Sequence, residues 1–158
     1  MIRLLLVLTL AAAALAGSGG GRPSVYGLAL PPDGRFALTY VHSVYKAPSA
    51  DLFQVHGRRF TMYAAVSTSG GVLDYYALEG RRESLPGGVF RLTLDSPATY
   101  ESLDLLATSL GRRTLHAGGR CLALYPETGA AAVRLAPGRT FDGRGEPCPA
   151  YSRVLFTQ

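Results

Sequence analysis

Turn-forming residues interrupt this chain at intervals of about 8–12 residues, and no other feature constrains its fold as strongly. The interruptions include Pro31-Pro32-Asp33-Gly34, Ala47-Pro48-Ser49, His56-Gly57, Gly70-Gly71, Glu79-Gly80, Pro86-Gly87-Gly88, Asp95-Ser96-Pro97, Gly118-Gly119 and Pro137-Gly138. Between them lie short runs rich in Val, Leu, Phe, Tyr and Thr. Such runs suit strands, and the gaps leave no room for the long helices of an alternating α/β chain. The pattern predicts an all-β domain over residues 26–158, an antiparallel β-sandwich or partly open β-barrel with room for one short helix. A chain of 158 residues holds one such domain with a real core.

Side-chain alternation supports strands. Phe36, Leu38, Tyr40, His42 and Val44 fall on one face of a strand, with Ala37, Thr39, Val41 and Ser43 on the other. Phe90, Leu92 and Leu94 alternate with Arg91 and Thr93. "TLHAGGRCLALY" reads as a hairpin turning at Ala117 to Arg120. "TYESLDLLATSLGRR" fits a helix through Leu103, Leu106 and Leu110, or a strand through Leu103, Leu105 and Ala107; the strand is the favoured reading.

The first residues carry a compartment signal. Arg3 precedes the uncharged run "LLLVLTLAAAALA", thirteen residues long. A membrane span needs about 20. Ala14-Leu15-Ala16 fits a small-x-small cleavage site, so residues 1–16 read as a secretory signal peptide and 17–25 as a flexible linker. A retained anchor is the alternative. The expected location is periplasmic or extracellular. There an even number of cysteines favours a disulfide, here Cys121 with Cys148. The net charge is +5 with one lysine, Lys46, and the arginines are scattered among turns. A nucleic-acid binder clusters its charge on one face, so nucleic acid is not an expected partner. No HxH, HExxH or CxxC spacing occurs, and neither a metal nor a cofactor is expected.

The candidate site lies in "TYVHSVYKAPSADLF". A four-residue turn at Lys46–Ser49 would pair Tyr45 with Ala50, Val44 with Asp51 and His42 with Phe53. One face would then carry Phe36, Leu38, Tyr40, His42, Val44, Asp51, Phe53 and Val55, two ionisable groups among six apolar or aromatic ones. A half-buried carboxylate demands a donor or an opposite charge, and His42 and Lys46 are the candidates. The cluster is either a pocket for a small anionic ligand or partner segment, or a structural contact. Ser43 faces away from His42, and no GxSxG elbow occurs, so a hydrolase would need distant segments, such as His42 with Asp51 and a serine from Ser67–Gly71.

"FALTYVHSVYKAPSADLFQV" resembles the signature of the domain-of-unknown-function family 1850. Members carry His-Ser-Val, then Lys or Thr, a Pro, and an acidic residue followed by an aromatic. His42, Ser43, Val44, Lys46, Pro48, Asp51 and Phe53 take these places. Asp51 stands where the family usually has glutamate. A later Ser- and Gly-rich element is matched at Ser67 and Gly71 within "STSGGVLDYY", but not at Thr68, Ser69, Gly70 or Leu73. The likeness runs from about Tyr26 to about Leu135. It implies a small exported protein of the kind often encoded beside TAXI-type TRAP solute transporters. An accessory or binding role with a membrane transporter component follows as the expectation. His42, Ser43, Lys46, Asp51, Ser67 and Gly71 are the residues expected to carry it.

Overall fold

The computed structural model describes residues 20–149. The proposed signal peptide and the final "VLF" run of the tail lie outside these residues. Thirteen strands are described: β1 (Arg22–Val25), β2 (Leu28–Ala29), β3 (Arg35–Val41), β4 (Pro48–His56), β5 (Arg59–Ser67), β6 (Gly80–Leu85), β7 (Val89–Tyr100), β8 (Leu103–Thr108), β9 (Thr114–Ala117), β10 (Arg120–Ala123), β11 (Ala130–Leu135), β12 (Pro137–Thr140) and β13 (Glu146–Pro147). One α-helix, α1 (Gly70–Tyr75), follows β5.

The main sheet has eight strands in the order β13-β10-β9-β3-β4-β5-β7-β6. Its described pairings are antiparallel. Two smaller sheets, β12-β1-β2 and β11-β8, add residues to the same core. The architecture is an all-β sandwich without a closed barrel among the described residues. The ambiguous stretch after Thr99 is β-structure, the end of β7 followed by β8. Leu103 and Leu105 turn inward beside the buried Ala107, while Leu106 and Leu110 of the rejected helical stripe are exposed. The helix stands instead in the Ser/Gly-rich element, where Val72 and Leu73 bury against the sheet.

A local irregularity in β5 aims the core. In β5 the register against β4 shifts so that Phe53 faces Met62 and Leu52 faces Ala64, leaving Tyr63 as the extra residue of a bulge. Met62 and Ala65 therefore both reach the main core, although three residues apart. Phe36 stacks on Phe53 at 5.0 Å, and Phe60 meets both rings edge-on at 5.6 and 5.5 Å. Phe53 and Phe60 are almost wholly buried, each stabilising by about 2–3 kcal/mol relative to exposure.

Three expectations need correction. The residues assigned to a linker include β1, whose Arg22–Val25 pair with β12 and, through Ser24 and Val25, with β2. Val25 is buried in the core, which is why this segment is held. The β3–β4 register is also different. Tyr40 pairs with Ser49, Leu38 with Asp51 and Phe36 with Phe53, so Phe53 faces Phe36 rather than His42. The turn is a six-residue loop, 42–47, not a four-residue one at 46–49. Pro48 is the first residue of β4, a strand position that tolerates a missing N–H. The slip is by an even number of residues, so it leaves Phe36, Leu38, Tyr40, Asp51 and Phe53 on one face. Val44 leaves that face and is exposed in the loop.

The hairpin of β9 and β10 turns at Gly118-Gly119 as expected, with Ala117 opposite Arg120. Both glycines have positive φ (55° and 77°), the requirement of a two-residue turn matched to strand twist. Cys121 of β10 is bonded to Cys148, 27 residues away. A loop of that size stabilises by about 3–4 kcal/mol in the chain-entropy account. The bridge follows β13, which pairs with β10 at the sheet edge.

Candidate functional site

The end of the sheet where β3 stops gathers three segments: loop 42–47, loop 109–113 and α1. Loop 109–113 is held there because Val41 N–H donates to Gly111 O at 2.8 Å. Loop 42–47 closes on itself. His42 N–H donates to Ala47 O at 2.9 Å, and Lys46 N–H donates to His42 O at 2.8 Å. Lys46 adopts φ 51° to complete this turn.

His42 is buried, and its side chain serves the loop. Val44 N–H and Tyr45 N–H both donate to its Nδ1 at 3.3 Å. A ring nitrogen that accepts two amides carries no proton, so the ring proton of neutral His42 sits on Nε2. This side-chain bonding offers the backbone an alternative to the ladder and ends β3. The ring then packs against three tyrosines, Tyr75 at 5.0 Å, Tyr45 at 5.4 Å and Tyr76 at 5.8 Å between centroids.

Asp51 finds a different partner from those expected. Tyr40 Oη donates to Asp51 Oδ1 at 3.1 Å, and Tyr76 Oη donates to Tyr40 Oη at 3.0 Å. The result is a relay from the helix end, Tyr76, through the buried Tyr40 to a half-buried carboxylate. Burial pushes the Asp51 carboxyl up to about 6, against the lowering effect of the Tyr40 hydrogen bond and of Arg113. Burial also raises Tyr40 far above the ordinary phenol range, with the Asp51 charge adding to it. Tyr76 is raised for the same first reason. Both phenols therefore stay protonated and donate.

Arg113 lies over the Tyr40 ring at 5.2 Å, a cation–π contact. Its Nε donates to Leu106 O of β8 at 3.2 Å, which ties the guanidinium to that strand. Its terminal amino groups make no hydrogen bond to the described residues. Lys46 and Arg112 sit on the two loops flanking this end, while the acidic Asp74 of α1 is engaged by Arg82 at 2.6 Å. The carboxylate Asp51 thus lies beneath a rim that is aromatic and cationic. Tyr75 is 61% exposed and Tyr45 45%, so the rings are open to solvent.

Ser67 and Gly71 position the rim. Ser67 is fully buried. Ser49 Oγ donates to its Oγ at 3.0 Å, and Ser69 N–H donates to the same oxygen at 3.1 Å. This ties β4 and β5 to the start of α1. Gly71 lies under the Tyr45 ring. A Cβ there would fall 2.6 Å from Tyr45 Cε1 and 2.9 Å from Cζ. Gly71 thus permits the loop and the helix to touch.

Five of the six expected site residues, His42, Lys46, Asp51, Ser67 and Gly71, therefore come to one end of the sheet in distinct roles. Ser43 is exposed in the turn. His42 and Asp51 do not bond each other, and Ser67 bonds neither. The relay that a Ser67 hydrolase would need is not formed among the described residues. Tyr40, Tyr76 and Arg113 were not among the expected site residues, although Tyr76 lies in the Tyr75-Tyr76 pair that could line a binding rim or be ordinary strand residues. Tyr40 was already on the right face, but Tyr76 and Arg113 reach it from the helix and from a loop 73 positions away, as no local pattern announces.

The family model for Domain of unknown function (DUF1850) matches residues 36–124. The chain belongs to this family. The match begins in β3 and ends after β10, so it spans every segment of the site just described. No curated protein and no solved structure matches the chain.

Proposed function

We propose that this member of the family is a non-enzymatic binding module whose ligand is a small organic carboxylate with an apolar or aromatic body. The observation that carries this reading is the Tyr76–Tyr40–Asp51 relay lying under Arg113. The relay fixes two phenols as donors and holds a negative charge that orients the guanidinium. The exposed Tyr45 and Tyr75 rings supply flat apolar walls, and Arg113 supplies a fork suited to a carboxylate. Lys46 adds a second cation at the mouth. An accessory role in a solute uptake system, which the family likeness implies, accords with such a site in an exported protein.

Calorimetric titration of the full chain with benzoate and with benzamide tests the reading. Benzoate binds and benzamide binds at least about tenfold more weakly, since loss of the charge removes the contact with Arg113. Arg113→Gln abolishes the preference while leaving the melting temperature in place. Equal binding of the two probes, or an unchanged preference in Arg113→Gln, contradicts it. If neither binds and Arg113→Gln melts early, the cluster serves only to hold the loops together.

A further inference from the structure

The other end of β3 borders an open cleft of about 740 Å3 between the main sheet and the β12-β1-β2 sheet. That is the size of a small-molecule site. Its walls are held by the backbone. Residues 31–34 form a turn in which Gly34 N–H donates to Pro31 O at 2.9 Å. The turn is pinned to β4, because Val55 N–H donates to Gly34 O at 2.9 Å and Gln54 Nε2 donates to Asp33 O at 2.9 Å. On the facing wall β12 pairs with β1, so that Arg139 stands opposite Pro23 and shares its face. Pro23, Pro32 and Pro137 line the cleft together with Val55. Proline has a fixed φ and no N–H, so these walls are rigid and apolar, and polar contacts must come from side chains.

Three side chains supply them from separate segments. His56 comes from the end of β4, Arg58 from the β4–β5 turn and Arg139 from β12. None of the three makes a side-chain hydrogen bond or ion pair to the described residues. Asp33 is the one carboxylate among the described lining residues, and it is engaged. Arg35 N–H donates to its Oδ1 at 3.1 Å, and the Arg35 Nε stands 3.8 Å from its Oδ2. Two guanidiniums, one from each sheet, thus face one cleft with no unengaged carboxylate between them.

We propose that this cleft binds a phosphate monoester with a compact apolar body. The monoester dianion matches the two guanidiniums in charge. Its three terminal oxygens accept from Arg58 on one wall, from Arg139 on the other and from a ring N–H of His56. A carboxylate has two oxygens in one plane and is matched by a single guanidinium fork, so the two-walled arrangement favours phosphate. The prolines and Val55 pack against the body of the ester. The cleft shares no residue with the tyrosine relay at the other end of β3.

The test titrates the full chain with phenyl phosphate at about pH 8, where the ester is a dianion, and with phenyl sulfate, a monoanion of the same shape, at equal ionic strength. Phenyl phosphate binds at least about tenfold more tightly than phenyl sulfate. In a 1H–15N correlation spectrum it shifts the amides of residues 33–35, 54–58 and 138–140. Arg58→Gln and Arg139→Gln each weaken it about tenfold. Both leave the melting temperature within about 2 °C, since neither side chain carries a contact that holds the fold. Vesicles containing phosphatidic acid carry the same monoester on a lipid and separate its two sources. A chain that sediments with them and is released by phenyl phosphate takes the group from a lipid. A chain that binds phenyl phosphate and stays in solution takes it from a free ester. Both results support the phosphate site. Absence of phenyl phosphate binding, shifts at residues 40–46 in place of these, equal affinity for phenyl sulfate, or unchanged affinity in the two variants overturns the proposal.

Discussion

Asp51 shows what a single residue does here. Its carboxyl is raised to about 6 by burial, above its ordinary value, so the folded protein holds that proton more tightly than the unfolded chain. The charged form therefore destabilises the fold. The penalty is absent below about pH 4, grows between about pH 4 and 6, and is fully present above. Asp51→Asn keeps an acceptor for Tyr40 Oη and removes the charge. The variant is accordingly more stable than wild type by about 1–2 kcal/mol above pH 6, after allowance for partial exposure. Below pH 4 the two are equal. Denaturant melts of both proteins across that range check this. Taking the difference isolates Asp51 from other titrating groups, including His116, whose imidazole is pushed down to about 4 by burial. A difference that does not change with pH would contradict the account.

Elements meet closely at two glycines, and their neighbours differ in kind. At Gly71 of α1 the obstacle to a Cβ is the Tyr45 ring, the far end of a side chain that is half exposed. Gly71→Ala therefore lets the ring swing out, changes the melting temperature by no more than about 2 °C, and weakens benzoate binding. At Gly80 of β6 the obstacle is backbone: a Cβ would stand 2.1 Å from Thr93 O. Gly80→Ala must pry β6 from β7, and lowers the melting temperature by about 6 °C or more. Thermal melts of the two variants side by side check the contrast. The elements themselves were largely legible in the sequence, because turn residues and period-two alternation are local signals. The β9–β10 hairpin could be read from Gly118-Gly119, and β8 from the alternation of Leu103, Leu105 and Ala107. The end of β3 was not legible, since His-Ser-Val-Tyr has strand composition. What ends the strand is a histidine side chain turning back on two amides. Pro48 misled in the same way, as a turn former that instead opens a strand. The site was legible in part. Asp51 and Tyr40 share a face through strand parity alone, whereas Arg113 and Tyr76 arrive by tertiary packing.

For the whole molecule, the disulfide and the site lie on opposite flanks of β3. Cys121 and Cys148 tie the β10 edge and the segment after β13. The carboxylate site draws on β3, β4, α1 and loop 109–113. Replacing both cysteines by serine removes about 3–4 kcal/mol of chain-entropy stabilisation. It lowers the melting temperature by about 10 °C, and leaves benzoate binding at low temperature unchanged, because no residue of the relay touches the bridge. Calorimetry at a temperature where the variant is fully folded checks the separation of the two regions. The large sheet thus works as a rigid platform, with its chemistry placed where loops and one helix close its ends. The most direct measurement of the central claim is a 1H–15N correlation spectrum of the full chain titrated with benzoate. The account predicts shifts concentrated at the amides of residues 40–46, 71–76 and 111–114, saturating together, and lost in Arg113→Gln. Shifts elsewhere on the sheet, or none in these three segments, would contradict it.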